Sequence, residues 1–404
     1  PLSWSKDNSK IYFTSNRSES WEYEFRNSEI YSVNVIDQKI SSLTDRDGPD
    51  SNPKGSPNGK HIAYLGYQDK VQAYQNTQLS IMDTNGDNTS VISFNIDSSI
   101  NDYHWDSNSK GIYYSYDKFG DTKIAYLNLD GTSEDLAENL GGTSIGRPYG
   151  KGSFTVSNNG VIAYTNTTYK HPSELTVVSG KKSTQITNIN SHLLENRNLG
   201  FVEEIWYKSS FDNRDIQGWV VYPPNYDSSK DYPFLVENHG GPISNYGSRF
   251  SAEMQLYAAA GYIVFYPNPR GSTSYGEEFA NLLHHNYPAE DYLDVMDGVD
   301  FCIKKGIANE EKLYVTGGSA GGLMTAWIVG KNNRFESAVV VKPVMNWISK
   351  TLTADNYFQY SGTRLSGQPW ENFQEYWDFS PISLVGQIET PTMVMVGMED
   401  LRTP

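Results

Sequence analysis

The chain has one cysteine, Cys302, in 404 residues, so no intrachain disulfide can form, and cytoplasm and periplasm both stay open as compartments. It contains no apolar run of about 18 residues, and its mean hydropathy is −0.57, which excludes a membrane-spanning helix. Basic residues are in deficit. Lys and Arg number 32 against 48 Asp and Glu, a net charge of −16, so the electrostatic footprint of a nucleic-acid or anionic-lipid binder is missing. The start, Pro1-Leu2-Ser3-Trp4, lacks the pattern of a signal peptide and reads as the middle of a structural repeat, with any targeting segment expected upstream. No His and Cys cluster has metal-ligand spacing, so neither a metal nor a cofactor is expected. The run Asp291, Asp294 and Asp297 reads as helix surface or interdomain packing. A homo-oligomer is left open.

What is present falls into two grammars. Residues 1–197 are rich in Tyr, Ser, Asn, Asp and Thr, with short alternating apolar stretches between turn residues. Ser5-Lys6-Asp7-Asn8-Ser9-Lys10-Ile11 is echoed by Ser56-Pro57-Asn58-Gly59-Lys60-His61-Ile62. Further copies are Asp106-Ser107-Asn108-Ser109-Lys110-Gly111-Ile112 and Ser157-Asn158-Asn159-Gly160-Val161-Ile162. The anchoring residues Ile11, Ile62, Ile112 and Ile162 lie 51, 50 and 50 residues apart. Each copy is followed by a second alternating strand, such as Glu29–Val33 or Gln78–Met82. A period of this length with several strands per unit is the signature of β-propeller blades, here about four of them. The first copy begins at once, so upstream blades are expected.

Residues 198–404 alternate strand-like and helix-like runs, the pattern of a mostly parallel, doubly wound sheet. Strands are expected at Glu203–Lys208, Ile216–Tyr222, Phe234–Asn238, Tyr262–Tyr266, Leu313–Thr316, Ala338–Lys342 and Thr392–Val396. Helices are expected at Arg249–Ala260, Ala289–Lys305, Gly321–Lys331 and Asn372–Trp377. The apolar strand at Leu313 runs into Gly317-Gly318-Ser319-Ala320-Gly321-Gly322 and then a helix. That is G-x-S-x-G in the strand–turn–helix setting which exposes a serine hydroxyl above a sheet, and it makes Ser319 the candidate nucleophile. His239-Gly240-Gly241-Pro242 follows another apolar strand, and a glycine-rich loop there offers one oxyanion amide while the residue after the nucleophile offers the other. The candidate donors are Gly241 and Ala320. His239 is rejected as base, because in this fold the order is serine, acid, histidine, and it precedes Ser319 by 80 residues.

Pro391–Gly397 reads as a buried strand, and Asp400, 81 residues after Ser319, is the candidate acid at its C-terminal end, with Glu399 as the neighbour most easily confused with it. A base is lacking. His61, His104, His171, His192, His239, His284 and His285 all precede Ser319, and a serine hydroxyl without a base is a poor nucleophile near neutral pH. Efficient turnover by these 404 residues alone is therefore not expected.

H-G-G-P, then Asn268-Pro269-Arg270-Gly271-Ser272, then G-G-S-A-G-G, then Gly397-Met398-Glu399-Asp400-Leu401-Arg402-Thr403-Pro404, all behind a propeller, resembles the prolyl oligopeptidase family of serine peptidases. The match is nearest to its acylaminoacyl-peptidase and dipeptidyl-peptidase-like branch. The resemblance implies a propeller followed by an α/β-hydrolase domain, short peptides as substrates, an acyl-enzyme route, and a propeller that excludes folded proteins. It places the triad histidine beyond Pro404 and so implies a chain truncated at both ends. Ala320 departs from the tyrosine usual after the nucleophile, which keeps the amide but alters the pocket. Arg270 is either a substrate-site residue or half of a structural salt bridge. Trp347, Tyr357, Phe358 and Tyr360 either line a specificity pocket or pack ordinarily. Rival readings are a carboxylesterase on the same fold and a non-catalytic binding protein built on the propeller.

Overall fold

The computed structural model describes residues 1–404 apart from the side chain of Phe358. The chain divides into two compact units: residues 1–140, 152–166 and 174–187, and residues 141–151, 167–173 and 188–404.

The first unit is built from four-stranded antiparallel meanders. The first blade holds β1 (Leu2–Trp4), β2 (Lys10–Ser15), β3 (Glu29–Asn34) and β4 (Ile40–Ser42). The second holds β5 (Asp50–Gly55), β6 (His61–Gly66), β7 (Gln78–Asp83) and β8 (Ser90–Val91). The third holds β9 (Ile100–Trp105), β10 (Gly111–Lys118), β11 (Asp121–Asn128) and β12 (Ser133–Ala137). The fourth holds β13 (Phe154–Val156), β14 (Ile162–Thr168), β15 (His171–Ser179) and β16 (Lys182–Gln185).

The repeated motif is the turn between the first two strands of each blade. Its tightest residue, at Asn8, Gly59, Ser109 or Gly160, has φ between 56° and 78° and donates its amide back three residues at 2.8–3.0 Å. In three copies a serine hydroxyl bonds the Asp or Asn two residues on and accepts the amide that opens the next strand: Ser5 with Asp7 and Lys10, Ser56 with Asn58 and His61, Ser157 with Asn159 and Val161. Small polar residues occur there because they satisfy the turn's own backbone.

Blades stick together by two-sided strands. On β6, Ile62 and Tyr64 pack with Tyr12 and Ile30 of the first blade, while the alternate residues Ala63 and Leu65 pack with Tyr103, Ile112 and Tyr114 of the third. The period of two sends successive side chains to opposite faces, so one strand serves two interfaces. Tyr103 also donates to the carbonyls of Asn52 (2.5 Å) and Ala63 (2.7 Å).

In the second unit, after the short α1 (Ser191–Leu194), a seven-stranded sheet runs β17 (Val202–Lys208), β18 (Asp215–Val221), β20 (Ile263–Asn268), β19 (Phe234–Asn238), β21 (Leu313–Gly318), β22 (Ser337–Val341), β23 (Thr392–Met395). From β20 to β23 the pairing is parallel, and β17 and β18 extend it antiparallel. The helices are α2 (Ala252–Ala259), α3 (Glu277–Asn281), α4 (Asp291–Lys304), α5 (Ala320–Lys331), α6 (Trp347–Thr353) and α7 (Phe373–Asp378). Val220, Ile263 and Phe265 face α4 and α5 through Val295, Val299, Cys302 and Ile328. Their alternates Trp219, Val221, Val264 and Tyr266 face α2 through Met254 and Ala258. Covering both faces is what makes these strands continuous apolar runs.

One strand differs from its expected environment. Thr392–Met395 forms and pairs with β22, but Met393, Val394 and Met395 are largely exposed rather than buried.

Candidate active site

The turn after β21 is strained where a nucleophile would sit. Ser319 has φ 61° and ψ −120°, a region that side-chain-bearing residues populate at a cost of about 1–3 kcal/mol. It is held there from both sides. Its amide donates to Val341 on β22 (3.0 Å), and its carbonyl accepts the first turn of α5 from Leu323 (2.9 Å). The glycines around it answer to space. A Cβ on Gly321 would collide with the Asn238 carbonyl oxygen, one on Gly317 would come within 2.5 Å of Gly321 O, and one on Gly322 within 2.5 Å of Val341 O. The result is a half-buried Ser319 at the N-terminus of α5, where the helix dipole favours negative charge.

The loop after β19 lies against this turn. A Cβ on Gly240 would sit 3.0 Å from Gly318 O and 3.5 Å from the Ser319 Cβ. Gly241 has φ 130°, which favours glycine. The Gly240 amide is taken by the Tyr149 hydroxyl (2.8 Å), whereas the amides of Gly241 and Ala320 make no hydrogen bond among the described residues. His239 is buried, with Nδ1 beside the Gly240 carbonyl (2.9 Å) and Nε2 beside the Ser272 hydroxyl (3.0 Å). Burial lowers its pKa to about 4, so it is a neutral element of the loop.

Asp400 lies two strands away at the same sheet end. Gly318 pairs with Val341 and Val341 with Met395, so the serine and the carboxylate follow strands that lie roughly 10 Å apart at typical sheet spacing. Oδ1 accepts the amides of Thr403 (2.9 Å) and Arg402 (3.0 Å), and Oδ2 accepts the Thr403 hydroxyl (3.0 Å). These bonds, led by the Thr403 amide, hold its pKa below the ordinary carboxylate value and keep it ionised. Lys350, at the heart of α6, donates to the Arg402 carbonyl and to Asn356 (2.8 Å), tying down the same turn.

Of the two roles open to Arg270, the structure contains the salt bridge. The guanidinium is buried, with Nε on Asp294 Oδ2 (2.8 Å), Nη2 on Asp294 Oδ1 (2.9 Å) and Ser209 (2.8 Å), and both Nη atoms on Asp212 (3.2 Å). Asp291 and Asp294 are correspondingly buried and not helix surface. Asp297 accepts the Ser210 amide (2.6 Å). Trp347 is buried in a cluster with Ala320, Val344, Tyr287 and, at its edge, Ile243 and Tyr360. Tyr357 is exposed, and the Phe358 side chain lies outside the described residues.

Sequence reasoning missed the segment 141–151, which belongs to the unit of the seven-stranded sheet. It runs beside residues 246–253, with Gly247 donating to Pro148 O (3.1 Å), Ala252 to Ile145 O (2.8 Å) and Glu253 to Gly146 O (3.0 Å). Through it Arg147 grips Glu253 at 2.8 and 3.0 Å and stands 3.4 Å from Glu237. Glu237 is wholly buried on β19. Burial, only partly opposed by the Arg147 charge, raises its pKa to about 8. The signal was the acid inside Phe234-Leu235-Val236-Glu237-Asn238, since a carboxyl in an apolar strand requires a partner.

Residues 248–404 match the model of the prolyl oligopeptidase family. Among curated proteins the chain is 34% identical over 303 residues to "Uncharacterized peptidase YuxL" of Bacillus subtilis, covering 74% of this chain and 45% of that protein. The chain belongs to the prolyl oligopeptidase family. It is also 25% identical over 414 residues to Dipeptidyl-peptidase 5 of Porphyromonas gingivalis, covering 99% of this chain and 59% of the relative. Pyrococcus horikoshii acylaminoacyl peptidase superposes on the whole chain with a TM-score of 0.84 at 22% identity, over 61% of its own length. The fold is accordingly the family's propeller followed by an α/β-hydrolase. The chain spans about half the length of the curated relatives it matches.

Proposed function

We propose that the whole protein is a serine peptidase that cleaves short peptides through an acyl-enzyme intermediate, with the propeller acting as a size filter. The observation that supports this most is a strained Ser319 at a helix N-terminus, beside two unspent main-chain amides, those of Gly241 and Ala320. In this reading the Ser319 hydroxyl attacks the scissile carbonyl, and its proton passes to a histidine that Asp400 orients. The two amides take the charge that grows on the carbonyl oxygen, the C–N bond breaks as the histidine hands its proton to the leaving amine, and water then releases the acyl group. A donor already bound to Tyr149, such as the Gly240 amide, cannot do this, which favours Gly241. His239 is spoken for by Ser272 and Gly240, so the base is assigned to a histidine outside these residues.

The test uses the full-length protein. Fluorophosphonate should label it at residue 319, and Ser319→Ala should abolish both labelling and hydrolysis of aminoacyl or dipeptidyl anilides. A full-length protein that resists labelling would point to a binding role, and a strong preference for simple acyl esters would point to an esterase.

A further inference from the structure

We propose that Arg147 is a substrate-binding residue of the Ser319 site, donating from Nη1 to a main-chain carbonyl oxygen of the peptide; this rests on the peptidase reading above. Its guanidinium is fixed in advance. Nε and Nη2 hold the Glu253 carboxylate at 2.8 and 3.0 Å, and Nη2 lies 3.4 Å from Glu237. Nη1 makes no hydrogen bond among the described residues and faces the elbow: a Cβ on Gly318, the residue before the nucleophile, would lie 2.9 Å from it. The neighbouring wall is Gly240, where a Cβ would stand 3.2 Å from the Tyr149 hydroxyl and 3.5 Å from the Ser319 Cβ. Two glycines thus leave room beside the serine, and an unused donor borders it.

Charge decides what the donor takes. Glu253, kept ionised by its bonds to Arg147, cancels the arginine's charge locally, while the chain as a whole carries −16. A free carboxylate is therefore poorly matched, whereas a neutral carbonyl needs only a directed N–H. Because the fork is already locked by Glu253, binding immobilises no further side chain. Glycine at 318 follows, since a side chain there would press on Nη1.

The experiment compares Arg147→Lys and Arg147→Met with wild type in the full-length protein, on a peptidyl anilide and on a small acyl ester that lacks any carbonyl beyond the scissile one. Loss of one charge-assisted hydrogen bond predicts a roughly 10- to 100-fold fall in kcat/KM on the anilide and a fall of about threefold or less on the ester. Gly318→Ala, whose methyl would come 2.9 Å from Nη1 and displace it, should reproduce the selective loss. A peptide whose acyl-side carbonyl is reduced to methylene should cost wild type as much as the arginine variants lose, and cost those variants nothing more. Equal losses on anilide and ester, or none on either, overturn the assignment while fluorophosphonate labelling of Ser319 continues. Absence of labelling in wild type overturns the peptidase reading itself.

Discussion

The blade turns at Asn8, Gly59, Ser109 and Gly160 and the elbow at Ser319 all require positive φ, between 56° and 78°, yet they occupy different ground. A blade turn is closed by its own residues and repeats because each blade meets the same local demand. The elbow is closed by β22 and by the first turn of α5, and its glycines are dictated by the carbonyls of Asn238 and Val341, which come from other strands. A local turn tolerates exchange among Asn, Ser and Gly. An elbow built by close approach tolerates almost none.

Substitutions can break this contrast. The largest effect is expected for Gly321→Ala, which drives a methyl into Asn238 O and should abolish labelling of Ser319. By comparison, Gly160→Ala, whose nearest neighbour would be the Tyr113 hydroxyl at 3.1 Å, should cost only about 1 kcal/mol in denaturant unfolding. Next come the ion pairs. Arg270→Met strands the buried Asp294 and should cost about 3–5 kcal/mol, while Lys54→Met in the propeller, facing a half-exposed Asp102 at 3.0 Å, should cost about 1 kcal/mol or less.

The third prediction concerns pH. Glu237 releases its proton near 8 when folded and near 4.5 when unfolded. The folded state therefore holds the extra proton across that window, and stability falls as pH rises through it, by an amount on the order of 3 kcal/mol. Glu237→Gln should flatten that fall in unfolding titrations from pH 5 to 8. In the propeller the exposed Asp7, held to about 2 chiefly by Ser5, acts in the opposite sense and only in acid. Smallest of all, Ser319→Gly should raise stability by about 1 kcal/mol by relieving the backbone, an increase that Ser319→Ala should not show.

Much of this architecture is legible in the chain itself. The blade period is visible because turn chemistry is local, and the elbow because glycines packed around a serine between an apolar strand and a helix have few other uses. The loop at Gly240 is legible for the same reason. The burial of Asp294 is not, since a carboxylate on a helix looks the same whether it meets water or Arg270 from a distant loop.

Residue order alone determined the repeating strands and the sharp bend at Ser319, because each depends on neighbours within a few positions. Tertiary structure decided that residues 141–151 join the hydrolase unit, that Arg147 and Tyr149 stand beside the nucleophile, and that Arg270 is consumed by Asp294. Those outcomes pair groups dozens of residues apart or more, and burial selects such pairs by the cost of leaving a charge or an amide without a partner.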